Sequence, residues 1–324
     1  MTLRILAGRI VANEGLNFLL TNRLPRRIAT ELVGRLGRIE QPLLARLTIG
    51  VWRLFCDVDL SDAATPRFRS MHDCFTRRLR PGARPIDPDP VVLASPCDAI
   101  VGATGAVTDG DQVQQIKGAP YRLRDLLGTA DASAPFRTGS YVTLRLTAGM
   151  YHHFHAPHDL VVEEVTYISG DCWNVNPPAL KRVARLFCRN ERAALRCRLD
   201  DGAPLTLVAV AAVLVASIRL TFHDAAAPLR AGGNRRVPMA ARLSKGEEMG
   251  WFEQGSTIVV LLPPGWQPIA PPGARVRAGA PLARRMTDPP FRDTGKIGTM
   301  LHASTSAGPS SPMPAIGQPG DVSC

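Results

Sequence analysis

The 324-residue sequence predicts an α+β fold in which an N-terminal helical region is followed by a β-rich core and a disordered C-terminal tail. Apolar residues recur at helical spacing in residues 10–56. From residue 91 onward the pattern changes to short runs of Val, Ile, Leu and Thr that Gly and Pro separate. After residue 286 the chain becomes rich in Ser, Pro and Gly, which is typical of disorder. We therefore expect regions at 1–70, 71–288 and 289–324.

The N-terminal region is predicted to contain two or three amphipathic helices. Leu32, Leu36 and Ile39 follow the helical period, and Pro25 and Pro42 divide the segment. Nine Arg and three Glu lie between residues 1 and 53, a net charge of +6 within a chain whose net charge is +11.

This basic, apolar composition suits a helix that lies on an anionic membrane surface, where each basic residue contributes about 1 kcal/mol. A solvated basic face on an ordinary helical subdomain is an equally good interpretation. Basic charge alone does not separate lipid phosphate from nucleic acid. The sequence contains no recognisable nucleic-acid motif, so we do not expect nucleic acid as a partner.

The core is predicted to be built from short strands. Strands are expected at 91–93, 100–101, 141–146, 160–167, 205–218 and 257–262, helices at 123–127 and 179–187, and a loop at 224–237. The longest apolar stretch, residues 205–218, is too short for a membrane-spanning helix of about 20 residues, so we interpret it as a buried strand. Because the first 20 residues also lack the uninterrupted apolar region of a secretory signal, we expect a cytoplasmic protein.

The cysteines and histidines are the candidate metal ligands of the sequence. The seven cysteines lack C-x-x-C spacing and are expected to be reduced. Four of the seven histidines lie between residues 152 and 158. Alternation along a strand would send His152 and His158 to one face and His153 and His155 to the other, with no fixed carboxylate partner. We therefore expect no metal, and we expect His153 and His158 to be incidental.

The sequence KGEEMGWFEQGST at 245–257 places a Gly-Ser bond between a charged loop and the apolar run 258–262. A Gly-Ser-Thr tripeptide is weak evidence by itself. Serine held against a labile preceding peptide can be converted into a pyruvoyl group, an electron sink made from the chain. The segment therefore suggests a self-cleavage site at Gly255–Ser256.

Two further motifs, SPCDA at 95–99 and MYHHFHAP at 150–157, strengthen the interpretation of this segment as a cleavage site. Together with GST at 255–257 they resemble the phosphatidylserine decarboxylases. Further matching stretches are FTR at 75–77, PGARP at 81–85, IKG at 116–118, LLG at 126–128, YISGD at 167–171, VNP at 175–177 and RNER at 189–192. The resemblance runs from about residue 70 to about residue 285 in the order of the family.

The resemblance implies a self-processing proenzyme. The family's Asp-His-Ser arrangement falls on Asp98, His155 and Ser256, in which the histidine takes the serine proton and a carboxylate fixes its tautomer. Cleavage would yield a β chain of residues 1–255 and an α chain of residues 256–324 that begins with the pyruvoyl group. His152 occupies the family's Tyr-His position and is the candidate proton donor after CO2 departs.

The predicted reaction is conversion of phosphatidylserine to phosphatidylethanolamine by a peripheral enzyme on the cytoplasmic face of the cell membrane. The chain departs from the family at Gln254 (usually Leu), Ala99 (usually Gly) and Met150 (usually Asp), none of which is a reacting group. Because relatives on this scaffold can accept soluble amino acids, a soluble substrate is the first alternative. Homodimer formation is left open.

Two alternatives belong to other classes. One is a Ser-His-Asp hydrolase that never cleaves itself, although Gln254 and Ile258 break the G-x-S-x-G pattern of α/β-hydrolases. The other is a non-catalytic membrane-binding relative, for which an intact chain and lipid affinity without turnover are expected.

Overall fold

A computed structural model describes residues 13–15, 18–19, 26–116, 118–212, 218–223, 233–253 and 256–286. Residues up to 286 belong to one compact unit. The tail predicted at 289–324 lies outside the described residues. Among the described helices, none combines the length and the apolar character that are needed to cross a bilayer.

The N-terminal part is helical, as predicted. Helix α1 covers Arg26–Gly37, α2 covers Pro42–Phe55 and α3 covers Met71–Phe75. Helix α2 starts where Pro42 follows Gln41, whose side chain accepts a hydrogen bond from the Leu44 amide at 2.6 Å.

The core is β-rich, which confirms the predicted fold class. In chain order its strands are β1 Val92–Ala94, β2 Ala99–Ala106, β3 Gln112–Ile116, β4 Ala119–Arg122, β5 Ser140–Leu146, β6 His153–His155, β7 Leu160–Ile168, β8 Arg192–Leu199, β9 Pro204–Ala211, β10 Ile218–Leu220, β11 Arg235–Leu243, β12 Glu248–Phe252, β13 Ser256–Leu262, β14 Trp266–Pro268, β15 Arg275–Val276 and β16 Pro281–Arg285. Its short helices are α4 Leu123–Leu127, α5 Ala130–Ser133, α6 Pro177–Arg182 and α7 Leu186–Arg189, with a 3-10 turn at Ala134–Phe136.

Within the described residues, the strands form one large antiparallel sheet and three small ones. The large sheet has the order β11-β7-β8-β9-β13-β5-β2-β15, so β13 lies in its interior between β9 and β5. The small sheets are β10-β12-β6, β1-β16-β14 and the hairpin β3-β4. The run Ile258–Leu262 of β13 is fully buried, because both faces of this strand are covered.

Three predicted elements differ from the structure. The apolar stretch 205–218 is not one strand: β9 ends at Ala211, and β10 begins at Ile218 in a different sheet, paired with β12. The helix expected at 179–187 is two shorter helices, α6 and α7.

The loop expected at 224–237 gives way to strand β11 from Arg235 onward, while residues 224–232 lie outside the described part of the chain. Among the described strands, β11 pairs with β7 alone, and its Pro238 lies next to an irregularity in the register. An edge strand tolerates proline and polar residues, so this segment lacks the apolar alternation that predicts a strand.

Candidate active site

Ser256 is the first residue of the interior strand β13. Its register partners are Leu146 and Ala211, which are the last residues of β5 and β9. Gly255 lies outside the described residues. Ser256 therefore lies at one end of the large sheet, where β13 enters the buried core.

The strand end beside Ser256 is fixed by a buried asparagine. Asn190 donates from Nδ2 to the carbonyl oxygens of Ala211 and Trp173, both at 2.8 Å, and its Oδ1 accepts from the Trp173 amide at 2.8 Å. Asn190 is completely buried, so these bonds are protected from water. They hold the end of β9 in place next to the first residue of β13.

The histidine-rich strand lies next to the segment that leads to Ser256. In the small sheet, Trp251 of β12 is the register partner of His153 of β6, and the amide of Phe252 donates to the carbonyl oxygen of His152 at 3.0 Å. Three residues separate Phe252 from Ser256. Chain reach alone therefore limits the separation of these two Cα atoms to about 14 Å.

His155 has partners at both ring nitrogens. Nδ1 lies 3.0 Å from the carbonyl oxygen of Gly246, and Nε2 lies 3.2 Å from the Tyr151 hydroxyl. Because a carbonyl oxygen can only accept, Nδ1 carries the proton and Nε2 accepts from Tyr151. Burial lowers the pKa of His155, and the Gly246 carbonyl and the charges of Glu248 and Asp98 oppose that shift. The ring is thus a neutral base whose lone pair is on Nε2.

Asp98 is held by an arginine. Arg84 donates from Nε to Oδ1 at 2.8 Å and from Nη2 to Oδ2 at 2.6 Å. Oδ1 also accepts from the Ala278 amide at 2.9 Å. The tautomer of His155 is therefore set by the Gly246 carbonyl in this structure, where the sequence analysis had expected a carboxylate. Asp98 acts on His155 through its charge.

His152 lies in a different environment from His155. Its Nδ1 donates to the carbonyl oxygen of Met150 at 2.8 Å, and its ring centroid lies 4.0 Å from that of Phe75. The side chain is completely buried, and Nε2 has no hydrogen-bond partner within the described residues. Burial lowers the pKa of His152 to about 3. His152 is therefore neutral at pH 7 with an unpartnered lone pair on Nε2.

His153 belongs to an aromatic stack, where the sequence analysis expected it to be incidental. Its ring is parallel to that of Tyr151, with centroids 4.9 Å apart, and it also stacks on Trp251 at 5.7 Å. Nδ1 lies 3.1 Å from Oε1 of Glu248, a contact that is an ion pair when the ring is protonated. Although burial raises the pKa of Glu248, contact with His153 lowers it overall. His153 thus packs against Tyr151, the partner of His155.

His158 lies with Nε2 2.8 Å from the carbonyl oxygen of Pro90, and its ring meets that of Trp266 edge-on with centroids 6.4 Å apart. In the part of the chain that the structure describes, no three His, Cys, Asp or Glu side chains come together as metal ligands do.

Sequence reasoning missed three residues of this site: Tyr151, Arg84 and Gly246. Each lies inside a motif, but a motif identifies the reacting groups and not the residues that orient them. At position 246 the usable signal in the sequence was the glycine itself. The backbone there has a φ of +86°, which is open to glycine and strained for other residues. This turn directs the Gly246 carbonyl towards Nδ1 of His155.

Comparisons with known proteins identify the family of this chain. The model of the phosphatidylserine decarboxylase family matches residues 71–284. The chain therefore belongs to the phosphatidylserine decarboxylase family, a family of carboxy-lyases.

Similar proteins include three that are named phosphatidylserine decarboxylase proenzyme. The protein from Marinobacter nauticus is 37% identical over 256 residues, which cover 75% of this chain and 88% of the relative. That from Erwinia tasmaniensis is 35% identical, with 82% and 92% covered. That from Methylibium petroleiphilum is 37% identical, with 84% and 98% covered.

Proposed function

We propose that this chain cleaves its own Gly255–Ser256 bond, converts Ser256 into a pyruvoyl group and decarboxylates phosphatidylserine to phosphatidylethanolamine. Membership of the family and the names of its relatives support the substrate. The observation that carries the self-cleavage step is the tautomer of His155, whose proton is on Nδ1 and whose lone pair is on Nε2.

Self-cleavage needs a base for the serine hydroxyl. Nε2 of His155 accepts the proton while Oγ of Ser256 attacks the carbonyl carbon of Gly255, and the peptide C–N bond breaks to leave an ester and a free amine. The Tyr151 hydroxyl occupies Nε2 until the serine hydroxyl replaces it. Burial raises the pKa of Tyr151, so it remains a neutral donor throughout.

The ester is then lost by elimination. Removal of the Cα proton of Ser256 breaks the ester C–O bond, which leaves a carboxylate on Gly255 and dehydroalanine at position 256. Water adds to this residue and ammonia departs, giving the α-keto group. Glycine at position 255 favours the first step, since it has no Cβ to shield its carbonyl.

The residues present fit a pyruvoyl group at position 256. His152 provides a buried, unpartnered Nε2 in the strand region next to the cleavage segment, and such a lone pair is costly unless a ligand uses it. When formed, the pyruvoyl group supplies an electron sink for the pair released as CO2 departs.

His152 is the residue that transfers a proton during turnover. Its Nε2 is the atom from which a proton would pass to the carbon that has lost CO2. The low pKa of the ring means that it gives up this proton readily. Its Nδ1–H bond to Met150 keeps Nε2 as the exchanging atom.

The substrate is a membrane lipid, and the helical region is suited to reach it. Helices α1 and α2 and the linker between them expose a row of large apolar side chains. Their exposed fractions are Leu32 55%, Leu36 52%, Ile39 45%, Leu43 69%, Leu47 66%, Val51 47% and Phe55 50%. Exposed apolar side chains beside arginines support peripheral binding to an anionic bilayer at its cytoplasmic face.

Intact mass spectrometry of the denatured protein tests the proposal. We expect two chains that separate between Gly255 and Ser256, with the smaller chain lighter by one ammonia than a fragment that begins with serine. A single chain of full mass contradicts self-cleavage. It would favour the Ser-His-Asp hydrolase or the non-catalytic membrane-binding protein instead. Activity on a soluble amino acid but not on phosphatidylserine vesicles would replace the substrate and keep the mechanism.

Variants separate the roles of the residues. Ser256→Ala and His155→Ala should each leave one uncut chain. His152→Ala should still be cut but should turn over slowly. An uncut His152→Ala chain would assign both histidines to cleavage.

A further inference from the structure

Glu253, two residues before Gly255, is a nearly buried carboxylate between two arginines. Its Oε2 accepts from Nη2 of Arg38 at 2.7 Å, and its Oε1 lies 3.3 Å from Nε of Arg219. The residue is 7% exposed. A buried carboxylate is costly unless it is paired, so these contacts stabilise Glu253 in its buried position.

The three residues come from three separate parts of the chain. Arg38 immediately follows α1 in the linker to α2, Arg219 lies in β10, and Glu253 immediately follows β12. The charge of Glu253 also acts on His72 in α3, where it opposes the lowering of the His72 pKa by burial. The cluster therefore joins the helical region to the small sheet at the beginning of the cleavage segment.

The backbone on the upstream side of Glu253 is held by the small sheet. Upstream, the Phe252 amide donates to the His152 carbonyl, and Trp251 is the register partner of both Arg219 and His153. Downstream, the next ladder contact within the described residues begins at Ser256. The Glu253 side chain is thus held between two β ladders. Self-cleavage requires the Gly255 carbonyl, two residues further along the chain, to lie within reach of Ser256.

We propose that Glu253 is a positioning residue for self-cleavage, and that Arg38 makes the helical region a part of this positioning device. The inference rests on the proposed self-cleavage at Gly255–Ser256. Displacement of a reacting group by about 1 Å can cost about a hundredfold in rate. Loss of the Glu253 contacts frees the segment that carries the Gly255 carbonyl and slows the cleavage.

The test is a time course of chain cleavage after cell-free synthesis, followed by denaturing gel electrophoresis. We expect Glu253→Gln to be cut at least tenfold more slowly than the parent chain. Arg219→Gln and Arg38→Gln should also be slowed, and Arg38→Lys, which keeps the charge, should recover most of the rate.

The matched control is Glu163→Gln, because Glu163 also lies between two arginines. Its carboxylate is 2.6 Å from Nε of Arg198 and 3.9 Å from Nε of Arg196, on strands β7 and β8. The thermal midpoints of both glutamine variants are measured in uncut Ser256→Ala chains. Slow cleavage of Glu253→Gln alone, at a similar change in midpoint, supports positioning.

The remaining outcomes contradict the positioning role of Glu253, the role of Arg38 or the proposed self-cleavage. Parental cleavage of Glu253→Gln overturns the proposal, and so does equal slowing of both glutamine variants, which would indicate general destabilisation. Parental cleavage of Arg38→Gln overturns the link to the helical region. Failure of the parent chain to cut contradicts the proposed function and is distinguishable from all of these.

Discussion

Arg84 binds both carboxylate oxygens of Asp98, at 2.8 and 2.6 Å, and its guanidinium carbon lies 5.9 Å from the ring centroid of Tyr151. Tyr151 in turn donates to Nε2 of His155. The aspartate motif and the histidine motif are therefore connected through Arg84 and Tyr151. Arg84 also bonds Asp62 at 2.9 Å, which fixes the guanidinium from a second side.

Asp98→Asn and Arg84→Gln should have similar effects. The side chains of the pair are 11% and 12% exposed, so Arg84→Gln leaves a largely buried Asp98 without its arginine, and Asp98→Asn leaves a largely buried Arg84 with Asp62 alone. We expect each to lower the free energy of unfolding by about 3 kcal/mol and to slow cleavage. Denaturant titration of the variants in the Ser256→Ala chain measures the first effect.

A different outcome would change the role of Asp98. If Asp98→Asn were as stable as the parent but uncut, while Arg84→Gln was cut normally, Asp98 would act on the reacting groups directly.

Tyr151→Phe removes one hydroxyl and keeps the aromatic stack on His153 and His155. The loss of the bond to Nε2 should cost about 1 kcal/mol of unfolding free energy. Because the His155 ring then has only the Gly246 carbonyl to orient it, cleavage should slow by about tenfold. The cleavage time course measures this effect, and an unchanged rate would mean that Tyr151 only packs.

Stability should fall in acid because His152 is buried in its neutral form. Its pKa is about 3 in the folded protein and about 6.5 in an unfolded chain. Between these values the unfolded state binds more protons. The contribution of His152 is therefore fully present above pH 6.5 and is lost as the pH falls towards 3, by at most about 1.4 kcal/mol per pH unit.

His152→Phe tests this linkage, since phenylalanine can keep the contact with Phe75 and cannot titrate. Both chains carry Ser256→Ala so that a single chain unfolds, and the free energy of unfolding is measured from pH 7.5 to pH 5. The slope against pH should be shallower in the phenylalanine variant. Equal slopes would contradict the buried neutral state of His152.

Much of the fold and the family could be predicted because both depend on local patterns. Helix α4 was expected at 123–127 and lies at Leu123–Leu127, since its apolar residues precede a glycine that ends the helix. Strand β13 was expected one residue short of its observed start, because a buried interior strand has an uninterrupted apolar run.

What could not be predicted depends on contacts between distant segments. Arg84 meets Asp98 across 14 residues and His155 meets Gly246 across 91, and neither spacing has a period that a single sequence displays. Likewise, β11 could not be recognised, because an edge strand with one neighbour needs little apolar alternation.

The exposed apolar row of α1 and α2 leads to the last prediction, which concerns membrane binding. Leu43 and Leu47 are 69% and 66% exposed in this structure, so replacing both with serine removes few protein contacts. If these side chains enter the bilayer, their loss costs about 1.5 kcal/mol each or more, and vesicle binding should weaken at least tenfold. Flotation with vesicles that contain phosphatidylserine measures binding, and the Ser256→Ala chain prevents turnover of the lipid.

The control for this experiment is Ile269→Ser with Met286→Ser. These side chains are 46% and 57% exposed but lie outside α1 and α2. Binding should be unchanged in the control and should fall in both chains when anionic lipid is replaced by zwitterionic lipid, because the arginines of the helical region supply the rest of the attraction. Equal loss of binding in both double variants would show that general surface apolarity drives binding. Unchanged binding of the leucine variant would exclude this face of α2 as the surface that docks on the membrane.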